Sequence, residues 1–124
     1  MKIVLVIEDD AAVRRLLSDA LLGAGYGVCE THSGDLIPAV PRLDAVVSGI
    51  VLDPRSDLDA VREWTRRLAG RFGAPVVVVT GRSEVAREAP ATLGVVDIIP
   101  KPFDVRDLLA RVERAISLAA ERVA

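Results

Sequence analysis

The sequence predicts an α/β fold in which one parallel sheet lies between two layers of helices. Apolar runs rich in valine and isoleucine alternate along the 124 residues with stretches whose apolar residues recur at helical spacing. The apolar runs contain no polar alternation, which is typical of strands buried on both faces. Because parallel strands need long crossover connections, five such repeats indicate a single sheet with helices on both faces. A chain of this length fits one domain, residues 1–124.

Five apolar runs are expected to form the strands of this sheet. They cover residues 3–7, 26–31, 45–52, 75–80 and 95–99. Five strands with intervening helices suit the flavodoxin-like strand order 2-1-3-4-5. The carboxyl ends of the strands then lie together at one edge of the sheet, which is where open α/β folds bind ligands.

Helices are expected after each strand, and capping residues or glycines suggest their limits. They begin after Asp10, at Asp35, after Asp57 or Ser56, at Ser83 and after Asp104. Pro38 and Pro41 should distort the second helix, over residues 35–43, and Pro90 is awkward within the fourth, over residues 83–93. Trp64 lies on the apolar face of the third helix and is expected to be partly buried.

The composition excludes several classes of protein. A net charge of -2 without a basic stripe does not support nucleic-acid binding by this domain. Cys29 is the only cysteine and His32 the only histidine, which excludes an internal disulfide and a cysteine-cluster or histidine-pair metal site. No apolar run reaches the length of a membrane span and no signal peptide opens the chain. We therefore expect a soluble, cytoplasmic protein without membrane partners.

Three acids, Glu8, Asp9 and Asp10, directly follow the first predicted strand. Carboxylates crowded at the ligand-binding edge of a sheet repel one another, and a bound cation relieves that repulsion. The stretch also fits a simpler interpretation, in which the acids form a solvated turn and Asp10 caps the next helix. Taken alone, the stretch favours the simpler interpretation.

Two further polar side chains are expected at the same edge, because Thr80 ends the fourth predicted strand and Lys101 follows the fifth. Two acids suit Mg²⁺, which prefers oxygen ligands. A hydroxyl group and an ammonium group can each hold a phosphoryl oxygen. A carboxylate placed between them is a candidate for phosphorylation. Thr80 alone fits an ordinary strand residue and Lys101 alone fits a surface lysine, so this hypothesis depends on their combination.

With this set of residues the chain resembles the receiver domain of two-component response regulators, nearly end to end. The most specific segments are IVLVIEDD, PVVVVTG and VDIIPKPF. The resemblance implies that Glu8 and Asp9 are the metal-binding acid pair. It implies catalytic roles for Thr80, as the switch hydroxyl, and for Lys101. It also implies a cis peptide bond between Lys101 and Pro102, since cis costs an X-Pro bond only about 0.5–1 kcal/mol.

The phosphoacceptor region departs from the family pattern, in which the second aspartate of an Asp-x-Val-Val-x-Asp stretch accepts the phosphoryl group. Aligned without a gap, LDAVVSGIVLDPRSD places Gly49 at the acceptor, where it has no side chain to phosphorylate. A second register makes residues 48–53 the third strand, with Asp53 as the nucleophile. It needs residues 45–47 in the preceding helix, and it places Pro54, which lacks a backbone N–H, directly after the acceptor. We favour the first register.

A second departure is Ile98, three residues before Lys101. The family usually has tyrosine or phenylalanine there, and rotation of that ring reports on the switch hydroxyl. Isoleucine has neither a ring nor a polar tip. We therefore do not expect the usual coupling between Thr80 and an aromatic side chain on either register.

These features predict an atypical receiver domain, not an enzyme, that signals by protein–protein contact without aspartyl phosphorylation. With Gly49 in place of a third carboxylate, we expect Mg²⁺ to bind weakly or not at all. The alternative is a conventional receiver that a histidine kinase phosphorylates at Asp53. A flavodoxin-like enzyme or nucleotide binder is a third hypothesis. It is disfavoured because the loop after the first strand is acidic and has no glycine cradle for phosphate.

The expected partners are proteins, either a histidine kinase or a downstream effector. The sequence is also compatible with a homodimer. No further domain follows Ala124 in this sequence. The sequence is therefore compatible with a stand-alone receiver and with a segment of a longer chain.

Overall fold

The computed structural model describes residues 1–33 and 42–123, and within them five strands form one sheet. The strands are β1 (Ile3–Ile7), β2 (Gly27–Thr31), β3 (Ala45–Ser48), β4 (Val76–Thr80) and β5 (Asp97–Pro100). Their order is β2-β1-β3-β4-β5, and each neighbouring pair is parallel. The predicted fold class and strand order are confirmed.

Five helices lie within the described residues, and the first, second and last begin directly after aspartates that the sequence suggests as capping residues. The helices are α1 (Ala11–Gly23), α2 (Leu58–Arg71), α3 (Ser83–Ala86), α4 (Pro90–Leu93) and α5 (Val105–Val123). Asp10, Asp57 and Asp104 each accept hydrogen bonds from backbone N–H groups two or three residues further on. None of these described helices combines the length and apolar character that crossing a lipid bilayer requires.

The two faces of the sheet carry separate apolar cores. β1 shows how one strand serves both, because Val4 and Val6 pack on one face while Leu5 and Ile7 pack on the other. Helices α1 and α5 cover the first face, and α2, α3 and α4 cover the second. Strands buried on both faces need an apolar residue at every position, which explains the unbroken runs in the sequence. Trp64 on α2 is partly buried in the second core, as predicted.

Several predicted elements have the wrong limits, among them the fifth strand, which was expected over residues 95–99 but is Asp97–Pro100. The third strand was expected to reach residue 52, but β3 ends at Ser48, where its pairing with β1 and β4 also ends. The single helix expected over residues 83–93 is two short helices. Pro90 is the reason for this break, because a proline nitrogen cannot continue a helix but is well suited to a helix's first turn, where it lies in α4.

Part of the expected second helix, over residues 35–43, lies outside the described residues. Pro38 and Pro41, which were expected to distort it, belong to that part. Residues 42 and 43 are described, and they are not helical. The end of this predicted helix is therefore wrong: at Asp44 the chain already lies beside β1, where Asp44 N–H donates to Ile3 O at 2.8 Å.

Candidate functional site

A cavity of about 200 Å³ lies at the edge of the sheet where β1, β4 and β5 end. Glu8, Asp9, Thr80 and Lys101 all line it, as expected for side chains at the carboxyl ends of parallel strands. The tertiary structure therefore brings together four residues that are up to 93 positions apart in the chain. Asp53 is not among the residues that line this cavity.

The cavity wall between β4 and β5 is held by the backbone. Lys101 N–H donates to Thr80 O at 2.8 Å, which aligns the ends of the two strands. Thr80 is 3% exposed, and its hydroxyl oxygen accepts a hydrogen bond from Arg82 N–H at 3.0 Å. The peptide bond between Lys101 and Pro102 is cis, as predicted.

Glu8 is a buried acid with three kinds of partner. Only 2% of the residue is exposed, and its Oε2 accepts from Lys101 Nζ at 3.3 Å. Its Oε1 accepts from Asp10 N–H at 3.2 Å, and its backbone oxygen accepts from Arg14 Nη1 at 2.8 Å. Burial raises the pKa of the Glu8 carboxyl, and the nearby Lys101 charge opposes that rise. The carboxylate is thus engaged with groups of the chain itself.

Gly49 lies directly beside this carboxylate. Its N–H donates to Ile7 O at 2.7 Å, which extends the pairing between β1 and β3 by one hydrogen bond. A Cβ added to Gly49 would lie 2.4 Å from Glu8 Oε2, far inside van der Waals contact. Gly49 is not one of the two glycines with positive φ, so its backbone conformation suits any residue. Space, and not the backbone, excludes a side chain at this position while Glu8 stays where it is.

Asp53 is exposed and does not line the cavity, although its chain neighbours Leu52 and Pro54 do. Its side chain is 51% exposed and pairs with Arg55, whose Nη2 lies 3.0 Å from Asp53 Oδ2. Hydrogen bonds from Arg55 lower the pKa of the Asp53 carboxyl. Residues 45–47 belong to β3, whereas the register that makes Asp53 the acceptor needs them in a helix.

The donor atoms of the cavity fit Mg²⁺ poorly. This ion favours octahedral oxygen coordination with one or two carboxylates alongside other oxygen ligands. Glu8 and Asp9 supply two carboxylates, but that of Glu8 is paired with Lys101. Within residues 1–33 and 42–123, no group of three histidine, cysteine, aspartate or glutamate side chains is arranged to hold a metal ion.

Sequence reasoning missed Arg82, which adds a second cation to the cavity wall. Its Nη2 donates to Ser56 O at 2.6 Å and its Nε to Glu84 Oε1 at 2.7 Å. Its Nη1 is buried and has no hydrogen-bond partner in the described part of the chain. The available signal was position, because Arg82 follows Thr80 by two residues at the end of β4.

The position three residues before Lys101 is filled by an aliphatic side chain that belongs to a core. Ile98 is 7% exposed and packs in the core beneath α2, α3 and α4. It lies on β5 opposite Val78 of β4, two residues before Thr80. A side chain packed in this way has no polar atom with which to contact the Thr80 hydroxyl.

Comparison with known proteins identifies the family. The family model of the response regulator receiver domain matches residues 4–113. The response regulator MprA of Mycobacterium tuberculosis is 40% identical over 114 residues, which cover 87% of this chain and 47% of that protein. The transcriptional regulatory protein CpxR of Klebsiella pneumoniae is 31% identical over 119 residues, covering 94% of this chain and 49% of that protein. The chain thus spans about half the length of these curated relatives.

The fold comparison agrees with the family model. The crystal structure of a CheY-like response regulator receiver domain protein from Methanospirillum hungatei JF-1 superposes with a TM-score of 0.76. The match covers 98% of both chains at 19% sequence identity, which shows a common fold. Taken with the match over residues 4–113, the fold and the arrangement of the sheet edge lead to one conclusion. The chain belongs to the family of response regulator receiver domains.

Proposed function

We propose that this domain is an atypical receiver of two-component-type signalling that acts by protein–protein contact and forms no aspartyl phosphate. One observation carries the proposal: Gly49, which has no side chain, follows β3 beside Glu8, whose carboxylate is paired with Lys101. In the family pattern an acceptor carboxylate is expected at this position. The domain would then present its surface to a partner without a chemical step, and it would not act as an enzyme.

The chemistry of phosphoryl transfer supports this proposal. The transfer needs a nucleophile held in line with the donor, together with groups that neutralise the transferred phosphoryl. Asp53 comes four residues after Gly49, and it does not line the cavity although its chain neighbours Leu52 and Pro54 do. Its carboxylate is exposed and is held by Arg55. A carboxylate that is paired with Arg55 outside the cavity is not in line with a donor bound there, and the rate falls steeply with misplacement of only about 1 Å.

We expect no phosphate-sized mass gain when the protein is incubated with acetyl phosphate and Mg²⁺ and its intact mass is measured. The reason is the lack of a carboxylate at Gly49 within reach of Lys101. Circular dichroism of the same sample checks that the fold is intact. A mass gain that disappears in Asp53→Asn would overturn the proposal and support a conventional receiver that uses Asp53. A gain that survives Asp53→Asn would overturn it equally, with a different acceptor.

Weak or absent Mg²⁺ binding is the second part of the proposal. Among the described residues, only Glu8 and Asp9 bring carboxylates to the cavity, and Glu8 would have to leave Lys101 to coordinate a cation. We therefore expect an NMR titration with Mg²⁺ to shift the amide signals of Asp9 and Asp10 without saturation. Tight, saturable binding would count against Gly49 as the residue at the acceptor position.

The partner we propose is a protein, either a histidine kinase or a downstream effector, that contacts the domain in the cytoplasm. MprA and CpxR are named a response regulator and a transcriptional regulatory protein, and each is about twice as long as the matched segment. An output segment in the same polypeptide would suit that comparison, and so would a separate effector. A second copy of this chain is a further candidate for the partner protein.

A further inference from the structure

We propose that the missing side chain of Gly49 lets Glu8 turn towards Lys101, so that Gly49 weakens cation binding through Glu8 as well as by lacking a carboxylate. The inference rests on the proposed function, because it takes Gly49 as the residue at the acceptor position. Besides removing a carboxylate, Gly49 would then control whether the carboxylate of Glu8 is free to bind a metal ion.

The distances at Gly49 carry the first step. A Cβ on Gly49 would lie 2.4 Å from Glu8 Oε2 and 3.1 Å from Glu8 Cδ. Standard bond lengths of about 1.5 and 1.2 Å put each carboxylate oxygen of an aspartate about 2.4 Å from its own Cβ. Glu8 Oε2 thus lies as far from this Cβ position as a carboxylate oxygen of an aspartate at position 49 would lie. Glu8, which directly follows β1, thus occupies space that a side chain at position 49, directly after β3, would otherwise fill.

The contacts of Glu8 carry the second step. Lys101 Nζ lies 3.3 Å from Oε2, and the N–H of Asp10 lies 3.2 Å from Oε1. Both oxygens therefore already have donors from the chain. The 2.7 Å hydrogen bond from Gly49 N–H to Ile7 O holds the two strand ends together, so a Cβ at position 49 could be accommodated only by movement of the Glu8 side chain.

The consequence concerns cation affinity. Glu8 ends in a flexible side chain, so a methyl group at position 49 would displace its carboxylate at little cost to the backbone. A displaced carboxylate loses Lys101 and becomes available beside Asp9, which also lines the cavity. A hard cation gains a carboxylate ligand by this change. An apolar substitution that contributes no ligand should therefore strengthen metal binding.

The test measures the Mg²⁺ affinity of Gly49→Ala against the unchanged protein by NMR titration of the Asp9 and Asp10 amides. We expect an affinity gain on the order of tenfold, the size typical of changes around a metal ligand. Gly70→Ala is the matched control, because Gly70 has no atom within 4 Å of an added Cβ, and its affinity should equal that of the unchanged protein. The double variant Glu8→Gln/Gly49→Ala should lose the gain.

A second variant keeps the test decisive if Gly49→Ala does not fold. Glu8→Asp shortens the side chain by one carbon–carbon bond of about 1.5 Å, which withdraws the carboxylate from Lys101 and should also raise the affinity. Unchanged or weaker binding in the folded variants would overturn the inference, as would a gain that persists in Glu8→Gln/Gly49→Ala. Phosphorylation of the unchanged protein at Asp53 is a separate result, and it would overturn the proposed function instead.

Discussion

Replacement of Leu108 by alanine is expected to lower the free energy of unfolding by about 2–5 kcal/mol. Leu108 is 0% exposed and packs in the core that α5 forms with the sheet. The substitution removes buried apolar surface and leaves a cavity that rigid neighbouring strands cannot close. Urea denaturation followed by circular dichroism measures the loss.

Leu118→Ala on the same helix is the matched control for Leu108→Ala. Leu118 is 45% exposed, so its truncation removes little buried surface, and we expect a change within about 0.5 kcal/mol. Both substitutions make the same change in helix propensity, since each replaces leucine by alanine within α5, so the difference between them reports packing. Equal losses in the two variants would mean that α5 does not pack through the face that carries Leu108.

Gly94→Ala is expected to lower the free energy of unfolding by about 1–2 kcal/mol. Gly94 ends α4 with φ 72° and ψ 21°, a left-handed conformation that disfavours any residue with a Cβ. An added Cβ would also lie 3.2 Å from Cγ and 3.6 Å from Cα of Arg66 on α2, so that the contact includes backbone. The same denaturation experiment measures the effect.

The control for Gly94→Ala is the substitution of a glycine that has neither constraint. Gly70 lies in α2, is absent from the glycines with positive φ, and has open space around its Cβ position. Gly70→Ala should therefore raise the free energy of unfolding by up to about 1 kcal/mol, because alanine favours a helix more than glycine does. A Gly94→Ala variant as stable as Gly70→Ala would refute the conformational argument.

The two stability predictions concern elements on opposite sides of the sheet. Leu108 belongs to the core beneath α1 and α5, whereas Gly94 follows α4 on the other side. The sites share no packing partners, so a variant that carries both changes should lose close to the sum of the two single effects. The cavity that contains Glu8 and Lys101 lies at the strand ends, where neither substitution adds or removes a contacting atom.

Much of the fold followed from local patterns in the sequence. The unbroken apolar run Ile3–Ile7 predicted a strand buried on both faces, because both faces of a central strand must exclude water. Asp10, Asp57 and Asp104 predicted helix starts, because a short acidic side chain satisfies the free N–H groups of a first turn. These signals involve residues only a few positions apart, so they can be interpreted without knowledge of the tertiary structure.

The limits of two elements could not be predicted in this way. Residues 49–52 continue the apolar run of β3, yet the strand ends at Ser48, opposite Ile7, where β1 also ends. Pro90 lies inside an apolar pattern that suits one helix, and the structure instead uses it to begin a second one. The length of a strand depends on the strands that pair with it. Whether a proline distorts a helix or begins a new one depends on the tertiary packing around it.

At the candidate site, the sequence by itself determined which groups are present and at which strand ends they lie. Glu8, Asp9, Thr80 and Lys101 were all assigned to one edge of the sheet, and all four line one cavity. The tertiary structure alone decided that Glu8 is bonded to Lys101, 93 positions away, and that it fills the space beside Gly49. The direction of a buried side chain depends on the room its neighbours leave, and that room exists only after distant strands have packed together.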